Sequence, residues 1–469
     1  MESRLYLRHA EVLATMDGAG TEIRDGALLT EGDHILGLGS TTQMDAWIAR
    51  HPASAPTETH ELDGCVVTPG LVNCHHHLFQ SLTRTVGTAR GLALFDWLRL
   101  LYRVWEGLTP EAIDVSTRLA LAELVLSGAT TVADHLYLFP NGCRLEDEIA
   151  AAQAVGVRFH AARGSMSRGA STGGLPPDSL VEREDAILAD SQRVIETWHD
   201  PRPRAMLRVA LAPCSPFSVS ADLMRESARL ARSHVAVGLH THLAETLEED
   251  RYCQAQWGQR PLDFAAAVGW SGPDVWFAHM VHPGAAGIAQ LAHAGSGVCH
   301  CPSSNMILAS GIAPVRALLD AGVNVGLGVD GSASNDGNHL LGEARMAMLL
   351  QRVGWPGFES SAARLSAREA LALATRGGAA VLGRDDIGSL EAGKAADVVA
   401  FRVDGLAHAG AQADPLAALL TCTPASAWLS IINGRPVVLQ GQLLHEELPA
   451  LIERHNRLSR ALLGRAGLA

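Results

Sequence analysis

The chain is short of positive charge. Its 37 Lys and Arg residues stand against 50 Asp and Glu, a formal net charge of −13. That balance excludes a surface built for nucleic-acid polymers or anionic membranes, although a small heterocyclic base is still open as a substrate. Cys-x-x-Cys pairs are absent. The eight cysteines, at 65, 74, 143, 214, 253, 299, 301 and 422, have no spacing that suggests a disulfide framework. They read as reduced, buried thiols in a cytoplasmic protein. There is no run of about 18 apolar residues, so no membrane span is expected. The opening MESRLYLRHAEVL lacks a charged-then-apolar leader pattern.

Apolar residues make up 47% of the chain and charged residues 19%, enough for a large buried core. A length of 469 residues suits one large barrel with a smaller domain attached. Both ends of the chain are rich in short apolar runs broken by turn residues. "RLYLRHAEVLATMDGAGTEIRDGALLTEGDHILGLG" near the start has this grammar, as do "GSLEAGKAADVVAFRVDG" and "LSIINGRPVVLQGQLL" near the finish. The expectation is a small β-sandwich made from residues 1–67 and 385–445, with a C-terminal helix over 446–469.

Between them, over 68–384, strand-like apolar runs alternate with helical stretches. Eight such runs are visible: "GLVNCHHH", "GATTVADHLYLF", "GVRFHAARGS", "LRVALAPCSPFS", "VAVGLHTHLAE", "DVWFAHMV", "SGVCHCPSSN" and "NVGLGVDGSASND". Near-continuous apolar strands separated by helices indicate a parallel sheet, and eight units indicate an α/β fold of the (β/α)8 TIM-barrel type. Polar residues cluster at the C-terminal ends of these runs, where barrel active sites form. The Gly-, Ser- and Pro-rich segment 163–184 is either a lid over the barrel mouth or a tolerated surface insertion.

Three consecutive histidines end the first run. If the strand continues through them, alternation puts His75 and His77 on one face and His76 on the other. Such a pair can hold one metal; the alternative is that the three are one ligand plus two hydrogen-bonded surface or core residues. His240 and His242 share a face at the fifth strand end, and His279 ends the sixth. Asp330 lies in a Gly-flanked apolar run, where a bare carboxylate is unfavourable and a cation would compensate it. Imidazoles and a carboxylate suit zinc or iron, and the pattern points to a mononuclear hydrolytic site.

"TPGLVNCHHHLFQSLTR", "HTHLAE", "AHMV", "HCPSSNMILASG", "GLGVDGSASND" and "GSLEAGKAADVVAF" occur in that order along almost the whole chain. Together they resemble the amidohydrolase superfamily of metal-dependent deaminases. The resemblance implies a distorted (β/α)8 barrel with a β-sandwich from both chain ends. It implies His75, His77, His242 and Asp330 as metal ligands, with Asp330 also taking the proton of the attacking water. Glu245 would be the proton shuttle and His279 would orient that water. The binuclear relatives carry a bridging lysine at the end of the fourth strand. None stands there in this chain, which implies one divalent metal, Zn2+ with Fe2+ as the alternative. A bare, solvated helix-start glutamate is the bland alternative for Glu245.

Within the superfamily, "DHLYLFPNG", "RGSMSRG", "LAPCSPFSVS" and "CHCPSSNMILASGI" resemble the 8-oxoguanine deaminase branch. This implies hydrolysis of 8-oxoguanine to uric acid and ammonia, with isoxanthopterin, guanine or a hydroxyatrazine-like triazine as other N-heterocyclic substrates. By the same resemblance Gln80 would contact the base. Cys214 stands where other branches use arginine or histidine, and Trp105 where nucleoside deaminases have a ribose-binding glutamate. Arg163 could reach a ring oxygen. Packing for Trp105 and a structural ion pair for Arg163 are the alternatives. The implied partners are a small base and water, with no nucleic-acid polymer and no membrane. Relatives suggest a homodimer or higher homo-oligomer. A noncatalytic barrel is disfavoured, because every expected ligand and Glu245 are in place.

Overall fold

Residues 4–52, 56–353 and 365–468 are described by the computed structural model. Five strands precede the barrel: β1 (Arg4–Ala14), β2 (Glu22–Glu31), β3 (His34–Ser40), β4 (Thr57–Glu61) and β5 (Cys65–Pro69). Eight then close into a parallel barrel: β6 (Leu71–Asn73), β7 (Ala129–Leu136), β8 (Arg158–Ser165), β9 (Leu207–Pro213), β10 (Gly238–Leu243), β11 (Val275–His279), β12 (Gly297–His300) and β13 (Val325–Leu327). The chain returns through β14 (Val398–Arg402), β15 (Ala427–Ile432), β16 (Arg435–Leu439) and β17 (Gln442–Leu443). These four join the first five in one nine-stranded sheet, whose central pairing is β14 against β5. All eight apolar runs singled out in the sequence contribute a barrel strand.

Strand alternation explains how the two domains share a wall. On β14, Val398 and Ala400 enter the small-domain core, while Val399 and Phe401 enter the barrel-side core. On β5, Cys65 and Val67 go one way and Val66 the other. Helix Leu448–Arg465 lies along helix Pro110–Leu126, with the Ser459 hydroxyl donating to the Leu82 carbonyl at 2.6 Å. Seven of the cysteines are buried, Cys422 is partly exposed, and all are free thiols. Among the described residues no helix is long and apolar enough to cross a membrane.

One buried ion pair fastens the barrel to the sheet. The Arg158 guanidinium, at the start of β8, donates to both oxygens of Asp397 at 2.9 Å. It also donates to the carbonyls of Arg204 and Ala205 and to Asn433 Oδ1. All five of its N–H bonds are used. Full satisfaction is what makes a buried charge tolerable, and loss of one partner leaves the other desolvated and unpaired. Asp397→Asn is therefore expected to destabilise the protein by about 3–5 kcal/mol, read from the midpoint of urea unfolding. An unchanged midpoint would show that the two domains do not depend on this pair.

Candidate functional site

β6 ends at Asn73, so His75, His76 and His77 follow the strand rather than end it. The alternation argument thus gave the right pairing from the wrong geometry. In the irregular turn after β6, His75 and His77 face the barrel axis. His76 turns away and donates from Nε2 to Asn338 Oδ1 at 2.9 Å. Asn338 in turn donates to Glu123 on helix Pro110–Leu126, so His76 ties the turn to the barrel's helical layer.

Proton positions at the centre follow from the hydrogen bonds, since burial holds these rings neutral. The Nδ1–H of His240 donates to the Trp276 carbonyl at 3.0 Å, which leaves its Nε2 bare to accept from His75 Nδ1–H at 2.8 Å. Burial pushes His240 down to about 3, so the ring carries a single proton. His77 donates from Nδ1 to the His135 carbonyl at 2.8 Å, and His242 from Nδ1 to the Cys214 carbonyl at 2.6 Å. Burial lowers His75, His77 and His242 as well. Each of the three rings therefore turns a bare Nε2 lone pair inward.

Those lone pairs crowd one point. His77 Nε2 and His242 Nε2 are 3.0 Å apart with no proton to share. Asp330 Oδ1 lies 3.2 Å from His75 Nε2 and 3.5 Å from His77 Nε2. The His75–Asp330 approach would be a hydrogen bond only if Nε2 carried a proton, and that proton is committed to His240. His75 Nε2 is accordingly a buried atom without a hydrogen-bond partner. Three neutral imidazoles and one carboxylate, with acceptors facing acceptors, form a donor set that a divalent cation would satisfy.

Two overlapping groups have ligand atoms within 4.8 Å of one another: His75, His77, His135 and His242, and His75, His242, His279 and Asp330. His135 was missed in the sequence. Its Nε2 donates to the Ala212 carbonyl at 2.7 Å, and its ring stacks on His242 at 4.9 Å. It supplies only Nδ1, whereas Asp330 brings the compensating charge, so Asp330 is the better fourth donor.

His279 and Glu245 stand beside this centre. His279 Nδ1 donates to Asn305 Oδ1 at 2.9 Å, and its Nε2 lies 3.7 Å from Glu245 Oε2 and 3.9 Å from Asp330 Oδ2. Burial works to lower His279, but Glu245 and Asp330 reverse that and raise it. Glu245 is raised by burial. It is no solvated helix-start residue, since it is 3% exposed and just precedes helix Leu247–Trp257, whose N-cap is Thr246. The buried Glu249 carboxylate accepts from the backbone N–H of Ala244 at 2.9 Å and of Glu245 at 2.8 Å, and so fixes that turn.

The segment after β12 touches each acid–base candidate. Ser304 donates to Asp330 Oδ2 at 2.6 Å, Asn305 accepts from His279, and Ser310 donates to Glu245 Oε1 at 3.3 Å. Ala244, His279, Met280 and Asp330 all have positive φ, from 48° to 72°. Left-handed non-glycine residues carry strain, and here they cluster where three strand ends deliver functional side chains. Gly331 next to Asp330 has a different constraint, since a Cβ there would lie 1.9 Å from Gln80 Oε1.

The centre opens into a cavity lined by His77, His242, Glu245, His279 and Asp330 together with Gln80, Cys214, Ser215, Ser334, Tyr102 and Tyr137. Leu94, Trp97, Leu98, Phe217 and Leu308 form its apolar wall. Gln80 and Cys214 are thus where the sequence placed them. Burial pushes the Cys214 thiol up to about 12, so it presents a neutral S–H.

Two expectations are corrected. Arg163 does not line the cavity. Its guanidinium is held by Glu182 and Asp190 at 2.8–3.0 Å and stacks over Phe139 at 4.0 Å, the structural ion pair. Trp105 is fully buried behind the wall, donates from Nε1 to Thr83 Oγ1, and packs edge-on against Phe79 and Tyr102. The 163–184 segment contributes no lining residue. It is bound through backbone hydrogen bonds to Phe217 and Ser218 of the next loop.

Comparison with known proteins agrees with this geometry. The model of the amidohydrolase family matches residues 66–429. The chain is 44% identical to an 8-oxoguanine deaminase of Pseudomonas aeruginosa, covering 98% of this chain and 99% of that one. It is 37% identical to a hydroxydechloroatrazine ethylaminohydrolase of Pseudomonas sp. (strain ADP), over 92% and 90%. Among solved structures it superposes on an atrazine chlorohydrolase of Arthrobacter aurescens TC1 complexed with zinc. That match has a TM-score of 0.89 and 33% identity, covering 97% of this chain and all of that one. A closed parallel barrel, an inward-facing imidazole and carboxylate set, and matches along nearly the whole length converge on one conclusion: the chain belongs to the amidohydrolase family of metal-dependent hydrolases.

Proposed function

We propose that this protein deaminates 8-oxoguanine to uric acid and ammonia, with one zinc ion held by the Nε2 atoms of His75, His77 and His242 and by Asp330. The observation that carries the metal chemistry is the set of bare Nε2 atoms facing each other and Asp330 at the base of the cavity. Full-length likeness to a deaminase of that base supports the substrate. When bound, the metal would lower the pKa of a water toward neutrality and polarise it for attack.

The protein's own groups then divide the proton work. Asp330 Oδ2, held by Ser304, is the acceptor for the water's proton. His279, anchored through Nδ1 by Asn305, turns Nε2 toward both carboxylates and orients the nucleophile. Glu245, whose carboxyl burial pushes up toward the protonated form, is placed to deliver a proton to the ring nitrogen beside the attacked carbon, and a second transfer to the amine releases ammonia. Among the described residues no Arg or Lys lines the cavity, and Glu245 and Asp330 are its only acids. The walls thus favour a flat neutral base over one with a phosphate tail.

Three outcomes are expected. Zinc-loaded protein should turn over 8-oxoguanine with kcat/KM above about 10⁴ M⁻¹s⁻¹, well ahead of guanine, isoxanthopterin and hydroxyatrazine, by ultraviolet and ammonia assays. Preference for one of the others would move the assignment to that heterocycle. Glu245→Gln should retain its zinc by elemental analysis yet lose about 10²–10⁴-fold in turnover, and a variant of near wild-type rate would remove Glu245 from the proton path. His240→Phe leaves His75 Nδ1 without its acceptor, so zinc affinity should fall by about 10–100-fold in competition with a chromophoric chelator. Unchanged affinity would mean that His240 does not set the His75 tautomer.

A further inference from the structure

Two residues that line the cavity each carry a buried hydrogen-bonding atom without a protein partner. The Tyr102 hydroxyl and Gln80 Oε1 are both buried, both belong to lining residues, and neither has a partner. Tyr102 is 1% exposed and Gln80 2%. Buried polar groups are nearly always satisfied, so unpaired ones on residues that line a cavity mark places that a ligand can complete.

Helix Leu94–Trp105 explains why the hydroxyl is there. Leu94, Trp97, Leu98 and Tyr102 recur at helical spacing and line the cavity from one face, so the same face supplies most of the apolar wall and the tyrosine. Gln80 Nε2 donates to the Tyr137 hydroxyl at 3.3 Å, and in this orientation Oε1 is the amide's open acceptor. Burial pushes both phenols well above their ordinary range, so they remain protonated donors.

We infer that Tyr102 is a specificity-determining residue whose hydroxyl donates to a ring carbonyl of the substrate, while Gln80 Oε1 accepts from a ring N–H. The ligand class this selects is a heterocycle with a lactam, C=O joined to N–H, rather than one that presents only amino groups and bare ring nitrogens. The inference rests on the deaminase reading above and assigns the recognition of its substrate to a residue with no role in the proton transfers.

The test is Tyr102→Phe in the zinc-loaded protein, with four readouts: zinc content, thermal unfolding, kcat/KM for 8-oxoguanine, and competitive inhibition by the lactam-bearing product uric acid. The hydroxyl has no protein partner, so its removal should leave the unfolding temperature unchanged or raise it. Over the same substitution kcat/KM should fall on the order of 10- to 100-fold, and the uric acid inhibition constant should rise by a similar factor. Kinetics within twofold of wild type would overturn the assignment, as would a loss of activity matched by a drop in unfolding temperature, since that pattern is structural. Gln80→Leu provides a second variant if Tyr102→Phe does not fold. It should weaken uric acid binding comparably, and undiminished binding would overturn the paired-acceptor claim. If the wild-type protein itself does not act on 8-oxoguanine, the substrate reading fails. If it does and Tyr102→Phe matches it, only the Tyr102 inference fails.

Discussion

The site depends on a constraint in proton placement. Three imidazoles must each hold their proton on Nδ1 so that three Nε2 lone pairs can converge. The groups that hold those protons belong to other strands: His240 on β10 for His75, the His135 carbonyl on β7 for His77, and the Cys214 carbonyl just past β9 for His242. Barrel closure supplies these acceptors: two come from the neighbouring strand, β7 beside β6 and β9 beside β10, and His240 reaches His75 from across the barrel. Burial completes the arrangement by keeping the rings neutral. A neutral ring with Nδ1 occupied has only one thing to offer the cavity, a lone pair.

A second layer holds the acid–base groups against strain. Asp330, His279 and Ala244 sit in left-handed backbone conformations that only their surroundings can maintain. Those surroundings are concentrated in two short segments. Residues 304–310 grip Asp330, His279 and Glu245 by one hydrogen bond each, and Glu249 grips the backbone at 244–245 by two. Burial of Glu249 pushes its carboxyl up to about 8, so the turn before the helix is held at some electrostatic expense beside Glu245.

Much of this was visible in the residues. The alternation of apolar runs and helical stretches marked all eight barrel strands, because a strand covered on both faces leaves a continuous apolar signature. The histidines and Asp330 stood out because titratable groups at strand ends have no packing explanation, whereas Glu245 was marked by the family resemblance. The strand limit at Asn73 was not visible, since the histidines that follow keep the two-residue spacing of a strand while leaving it. Arg163 misled for a related reason. It closes a strand at the functional end of the barrel, yet whether its side chain turns inward or outward is set by Glu182 and Asp190, which lie 19 and 27 residues further on. Tyr102 escaped notice because its helical spacing with Leu94 and Leu98 is that of ordinary core.

By itself the sequence determined the barrel and the two-ended small domain, which follow from periodicity, a local property. Residue type marked the histidines and Asp330 as candidate ligands, while the division into ligands and proton carriers came from the family resemblance. Tertiary structure alone decided which nitrogen of each ring is bare, that His76 and His240 hold their neighbours in place, that Trp105 and Arg163 are structural, and that a tyrosine with an unpaired hydroxyl joins the cavity lining. Each of those outcomes turns on which atom lies within about 3 Å of another across a closed barrel. Contacts of that kind join residues up to 262 positions apart, as between His76 and Asn338, and no local pattern encodes them.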